Sequence, residues 1–190
     1  MRFTVTELGI SGVLLVSPKR FEDSRGYFME TYHAREFEQL GIRARFLQDN
    51  QALSKKAGTI RGLHFQEPPH AQAKLVRAVR GSLFDVAVDL RRGSPTFGHW
   101  IGTKLTAASA KQLFIPAEFA HGYCTLEPDT EVAYKCDSYY AAGSEGGILF
   151  SDPALGVEWP VSADVAVVSD KDRALPLLAD IVTPFAMELT

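Results

Sequence analysis

Residues 58–70 read GTIRGLHFQEPPH. Residues 61–66 alternate as a strand does, with Gly62, His64 and Gln66 on one face and Arg61, Leu63 and Phe65 on the other. Pro68 and Pro69 end that strand, because proline has no N–H to give to a ladder, and they put His70 in a turn. A short strand with a histidine on its less apolar face suits one wall of a β barrel. Two chemistries are open to it. His64 and His70 are half of a metal site, or His64 is a proton carrier that needs no metal.

The rest of the chain repeats the pattern. LFDVAVDL (83–90) places Phe84, Val86, Val88 and Leu90 on one face and Asp85 and Asp89 on the other. KLVRAVRG, GHWIGTKL, KQLFIP, HGYCTL and EVAYKCDSYY are further strand-length runs, rich in β-branched and aromatic residues. Turn signals at RRGSPTFG, IPAEFAHG, LEPDT and AAGSEGG separate them. Helix is expected only over 33–41, ended by Gly41, and briefly within 170–181, where Pro176 interrupts. No repeat or linker is visible, so residues 1–190 read as one mainly β domain, a sandwich or closed barrel. Lys74 shares a strand face with Val76 and Ala78, and Tyr134 shares one with Val132 and Cys136. Isolated polar groups among apolar neighbours mark the wall of an interior pocket.

Composition narrows the function. Apolar residues make up 46%, charged residues 23%, and the net charge is −3. That balance favours neither nucleic acid nor an anionic membrane as partner, so an anionic ligand needs a local cluster of Arg and Lys. The N-terminus lacks a signal-peptide layout, and no apolar run approaches the roughly 18 residues of a membrane helix. Cys124 and Cys136 have no zinc-like spacing and read as reduced, partly buried thiols on neighbouring strands. A cytoplasmic enzyme or binding protein is the expectation.

Two segments resemble the signature stretches of the cupin superfamily. Gly58 and His64 match the first, but Gln66 stands where the next histidine belongs; Pro116, Glu118 and His121 align with the second. The resemblance implies a mainly β, cupin-like double-stranded β-helix (jelly-roll) barrel with a few short helices. Two of its four usual ligands, His64 and His121, are present. Zinc or iron sites need at least three good protein ligands, so no metal and no cofactor are expected.

Nine segments in order, RFEDSRGYFMETY, FLQDN, IRGLHFQ, KLVRAVRG, FDVAVDLRRGSPTFG, QLFIPAEFAHGY, EVAYK, DPALGVEWP and SDKDRALP, resemble the dTDP-4-dehydrorhamnose 3,5-epimerase family over about residues 8–178. The family resemblance implies inversion at C3 and C5 of dTDP-4-dehydro-6-deoxy-D-glucose. Both carbons flank a ketone, so a base, an enolate stabiliser and an acid suffice. By resemblance His64 is the base, oriented by Asp172, Lys74 stabilises the enolate, and Tyr134 is the acid on the opposite face. Arg25, Arg61 and Lys171 match positions for the pyrophosphate. Glu30, Gln48, Asp49 and Asn50 match positions lining the nucleotide and sugar. Tyr140 matches the position that stacks on the base, and His121 a polar group at the sugar. A homodimer is implied, with some of these groups crossing from the partner. Glu118, Ala52 and Phe150 stand where the family has Gly, Ser and Trp, and bear on sugar specificity. Other readings are inversion at one carbon only, a metal-dependent cupin, and a sugar-nucleotide binding module without catalysis.

Overall fold

The computed structural model describes residues 1–187; the last three residues of the 1–190 unit read from the sequence lie outside them. In chain order the strands are β1 (Phe3–Glu7), β2 (Leu14–Pro18), β3 (Phe21–Asp23), β4 (Gly26–Phe28), β5 (Gln48–Ser54), β6 (Ile60–Gln66) and β7 (Lys74–Arg80). They continue with β8 (Ser82–Asp89), β9 (Trp100–Thr106), β10 (Gln112–Ile115), β11 (Phe119–Thr125), β12 (Thr130–Cys136) and β13 (Glu145–Gly147). One sheet has the order β1-β2-β10-β7-β12-β5 and the other β13-β6-β11-β8-β9, while β3 and β4 form a separate hairpin. Paired strands are antiparallel throughout. This is the cupin-like jelly-roll barrel that the sequence implies. No helix among the described residues is long and apolar enough to cross a membrane.

Side-chain alternation divides the core into layers. Val76 and Ala78 of β7, Val132 of β12 and Leu113 of β10 meet Leu83 and Ala87 of β8 and Phe119 of β11 between the sheets. The apolar set of β8 turns the other way. Phe84, Val86, Val88 and Leu90 pack outside the five-stranded sheet, against Ile148, Leu155, Trp159 and Phe185. Asp85 therefore faces the barrel interior, where a purely hydrophobic reading of 83–90 would have put solvent. The C-terminal segments supply apolar cover that a single strand's pattern does not reveal.

The helix expected at 33–41 is α1 (Ala34–Gln39), with His33 Nδ1 accepting the Glu36 N–H at its start and Gly41 at φ 87° beyond its end. It seats Phe37 in a cluster outside the six-stranded sheet with Phe3, Leu75 and Phe114. The second helical prediction is realised as α2 (Asp170–Arg173) and a 3-10 turn at Leu178–Asp180, with Pro176 in the gap. The turn read at 115–122 is shorter than expected. Buried Phe119 and Ala120 already belong to β11, so His121 lies within a strand. Cys124 and Cys136 are both buried and free, but β11 and β12 belong to different sheets.

Strand β6 approaches β11 unusually closely at two glycines. A Cβ on Gly62 (φ 121°) would stand 2.5 Å from Gly122 Cα and 2.7 Å from the His121 carbonyl oxygen. The register shifts here, leaving His64 opposite His121 and Arg61 opposite Tyr123. Gly62→Ala is expected to cost about 1–3 kcal/mol through backbone overpacking, read from the midpoint of urea unfolding. An unchanged midpoint would show that the two strands have room to separate.

Candidate active site

A cavity of about 480 Å³ opens between the sheets. Arg61 and His64 on β6 and His121 and Tyr123 on β11 form one wall, and Ala52 on β5, Lys74 on β7 and Tyr134 on β12 form the other. Arg61 does not face away from His64 as strict alternation predicts, because the β6–β11 register shifts between them. His64 and Tyr134 thus reach the same space from opposite sheets.

Asp172 closes on His64 from 108 positions away in sequence, with Oδ1 2.8 Å from His64 Nε2. Its Oδ2 accepts the Gly62 N–H at 3.3 Å. The cap of α2 is the Ser169 hydroxyl, which accepts the Asp172 N–H at 3.1 Å, so the Asp172 carboxylate is free for the imidazole. Burial pushes the Asp172 carboxyl pKa upward, but the hydrogen bond and charge of His64, with the Gly62 N–H, outweigh it and leave the pKa below its ordinary value. An ionised acceptor fixes the proton on Nε2 and leaves Nδ1 as the basic atom of His64.

Lys74 is 9% exposed and donates from Nζ to the His64 carbonyl at 3.3 Å. Burial lowers its pKa, against the charges of Cys136, Asp85 and Glu145. Burial raises the pKa of Tyr134, so its phenol keeps its proton at neutral pH. His121 Nε2 lies 2.5 Å from Asp85 Oδ1 at the back of the cavity. Burial lowers the His121 pKa although Asp85 works to raise it.

A second hollow of about 270 Å³ shares His64, Lys74 and Tyr134 with the first and carries Gln48, Asn50, Gln66, Tyr140 and Glu145. Glu145 Oε2 accepts from Lys171 Nζ at 2.6 Å and from the Tyr140 hydroxyl at 3.3 Å. The predicted site residues His64, Asp172, Lys74, Tyr134, His121, Arg61, Gln48, Asn50, Tyr140 and Lys171 are therefore gathered around these spaces. Asp49 alternates to the outer face of β5, where its carboxylate accepts from Lys135 Nζ at 2.7 Å. Arg25 sits at the exposed turn of the β3–β4 hairpin, paired with Asp23, and Glu30 pairs with Arg2. Neither of these two lines the hollows around His64.

Two participants escaped the sequence reading. Glu145 was hidden in a glycine-rich turn signal, with nothing local to mark it. Asp85 did carry a signal, an acid on a strand otherwise apolar enough to be buried on both sides. Of the three departures from the family pattern, only Ala52 touches the cavity. Glu118 lies close to Arg91 and Asp137 and lines neither hollow, and Phe150 is buried in an outer cluster with Ile60 and Cys124. Among the described residues, no three His, Cys, Asp or Glu side chains converge as a metal-ligand set.

Comparison with known proteins identifies the family. The family model described as dTDP-4-dehydrorhamnose 3,5-epimerase matches residues 7–180. The dTDP-4-dehydrorhamnose 3,5-epimerase of Salmonella typhimurium is 50% identical over 175 residues, covering 92% of this chain and 94% of that protein. The Bacillus anthracis enzyme of that name, solved with TDP and PPi bound, superposes with a TM-score of 0.89 at 48% identity, over 93% of this chain and 99% of that one. A Legionella pneumophila dTDP-6-deoxy-D-glucose-3,5-epimerase in complex with dTDP-4-keto-L-rhamnose gives 0.92 at 40% identity, over 98% of this chain and all of that one. From sequence, fold and site together, the chain belongs to the dTDP-4-dehydrorhamnose 3,5-epimerase family, isomerases that act on a sugar nucleotide.

Proposed function

We propose that the chain converts dTDP-4-dehydro-6-deoxy-D-glucose to dTDP-4-dehydro-L-rhamnose by acid–base chemistry of its own side chains. The observation that carries this reading is the opposition of His64, with Asp172 on its Nε2, and Tyr134 across one cavity. Nδ1 of His64 takes the proton from a carbon beside the C4 ketone. The electron pair moves to the C4 oxygen, where a Lys74 N–H stabilises the enolate. Tyr134 then delivers a proton to the opposite face, and both groups reset by exchange with water. The second carbon repeats the sequence. Substrate and product have the same oxidation state, so the chemistry requires no electron carrier.

We further propose that the active form is a homodimer. Phe21, Tyr27 and Phe28 on the β3–β4 hairpin are 45%, 55% and 66% exposed, a large aromatic surface for a free-standing ribbon. A second copy that receives this hairpin would account for Arg25 and Glu30 lying away from their own chain's cavity. Free, buried thiols suit a reducing, cytoplasmic compartment.

The test is incubation with dTDP-4-dehydro-6-deoxy-D-glucose in heavy water, read by NMR and mass spectrometry. Deuterium at both C3 and C5 with inversion at each is the expected result. Label and inversion at one carbon alone would reduce the activity to a mono-epimerase, and no label at either would end the proposal.

A further inference from the structure

Gln66 stands where a cupin metal site would place a histidine, and the epimerisation gives it no chemical task. It is 4% exposed at the end of β6, two residues beyond His64. Its amide is fully engaged. Nε2 donates to the His70 carbonyl at 2.6 Å and to the Tyr139 carbonyl at 3.2 Å, and Oε1 accepts the Ala141 N–H at 2.9 Å. The two peptide groups that flank Tyr140 are thus both tied to one buried side chain. The Tyr140 N–H is held separately, donating to Gln48 Oε1 at 2.9 Å.

The Tyr140 side chain cannot be fixed by packing, because the residue is 58% exposed. Its hydroxyl donates to Glu145 Oε2 at 3.3 Å, and its backbone sets where the side chain starts. We propose that Gln66 is a positioning residue for Tyr140 and sets the protein's affinity for the nucleotide half of its substrate. This rests on reading Tyr140 as the residue that stacks on the base. The geometry needs two donors and one acceptor on a single side chain, which an amide supplies. A neutral histidine offers one of each and a carboxylate offers no donor, so neither can make the same three bonds. The same arrangement gives His70 a role through its carbonyl, with its ring left out.

The experiment compares Gln66→Glu, Tyr140→Ala and the double variant by dTDP binding and by steady-state kinetics. Gln66→Glu keeps an acceptor for Ala141 and loses both donors. Its dissociation constant for dTDP and its KM for the sugar nucleotide should each rise about tenfold, with kcat within about threefold of the parent. In the Tyr140→Ala background it should add nothing further, because the two residues act as one unit. Thermal unfolding checks that the variant is folded; if it is not, Gln66→Met keeps the volume and removes all three bonds. If Tyr140→Ala weakens dTDP binding and a folded Gln66 variant does not, the positioning role is wrong while the stacking reading stands. If Tyr140→Ala leaves dTDP binding unchanged, the stacking reading fails and the inference with it. A fall in kcat at unchanged KM would also overturn the inference, since it would place the effect on His64 instead.

Discussion

His64→Ala should lower kcat by about a thousandfold or more, within the range of about 10²–10⁴ that a positioned base contributes, and should abolish deuterium uptake at both carbons. The reason is local. With Nε2 bound to Asp172, Nδ1 is the one free basic nitrogen of the dyad. The other imidazole in the cavity, that of His121, is engaged through its Nε2 with Asp85 and occupies a different wall position on β11. It cannot substitute without moving a strand. Asp172→Asn should show a loss of similar order, because its single amide oxygen cannot accept from both the Gly62 N–H and the His64 Nε2–H, and an NH2 turned to Nε2 moves the imidazole proton onto Nδ1, the basic atom. KM should change little in either variant, since neither group is assigned to the nucleotide. Retained full exchange in His64→Ala would remove it from the mechanism.

Tyr134→Phe should separate exchange from inversion. Phenylalanine keeps the ring in its half-buried place and removes only the proton donor. His64 can still take a proton and, after exchange with solvent, return deuterium to the same face. Inversion should therefore fall by about 10²–10⁴, while deuterium enters with retained configuration and falls by much less. The ratio of label incorporated to product formed is the quantity to measure. A variant that loses both equally would assign Tyr134 to enolate stabilisation in place of Lys74, and one that loses neither would place the acid elsewhere. The raised pKa of Tyr134 fixes the sign of the pH effect: its proton is present below the ordinary phenol value of 10.0 and stays present somewhat above it. No loss of inversion from Tyr134 is expected as pH rises through 8 and 9.

Much of this was legible in the chain itself, though unevenly. Strands with strong apolar alternation, β7 through β12, announced themselves because their pattern survives in one dimension. Strand β5 did not, since QDNQALS turns Gln48, Asn50 and Ala52 toward a polar cavity and leaves no hydrophobic stripe. Strand β8 was recognised, yet its two faces were open to misreading. Both are buried, and only the packing of residues 148–185 shows that Asp85 is the interior one.

What the sequence determined by itself is the set of side chains and the local rules that position them. The 58–70 stretch fixes a strand, its proline stop and a histidine without a second ligand beside it. The family resemblance named the four catalytic candidates. What only the tertiary structure decided is which groups meet. Asp172 reaches His64 because α2 folds back across β6, a contact that no spacing of 108 residues encodes. Tyr134 opposes His64 because β12 and β6 belong to facing sheets. Gln66 found its partners in a turn and a loop 73 and 75 residues away. Hydrogen bonds and burial act through space, whereas sequence pattern records only what lies along the chain.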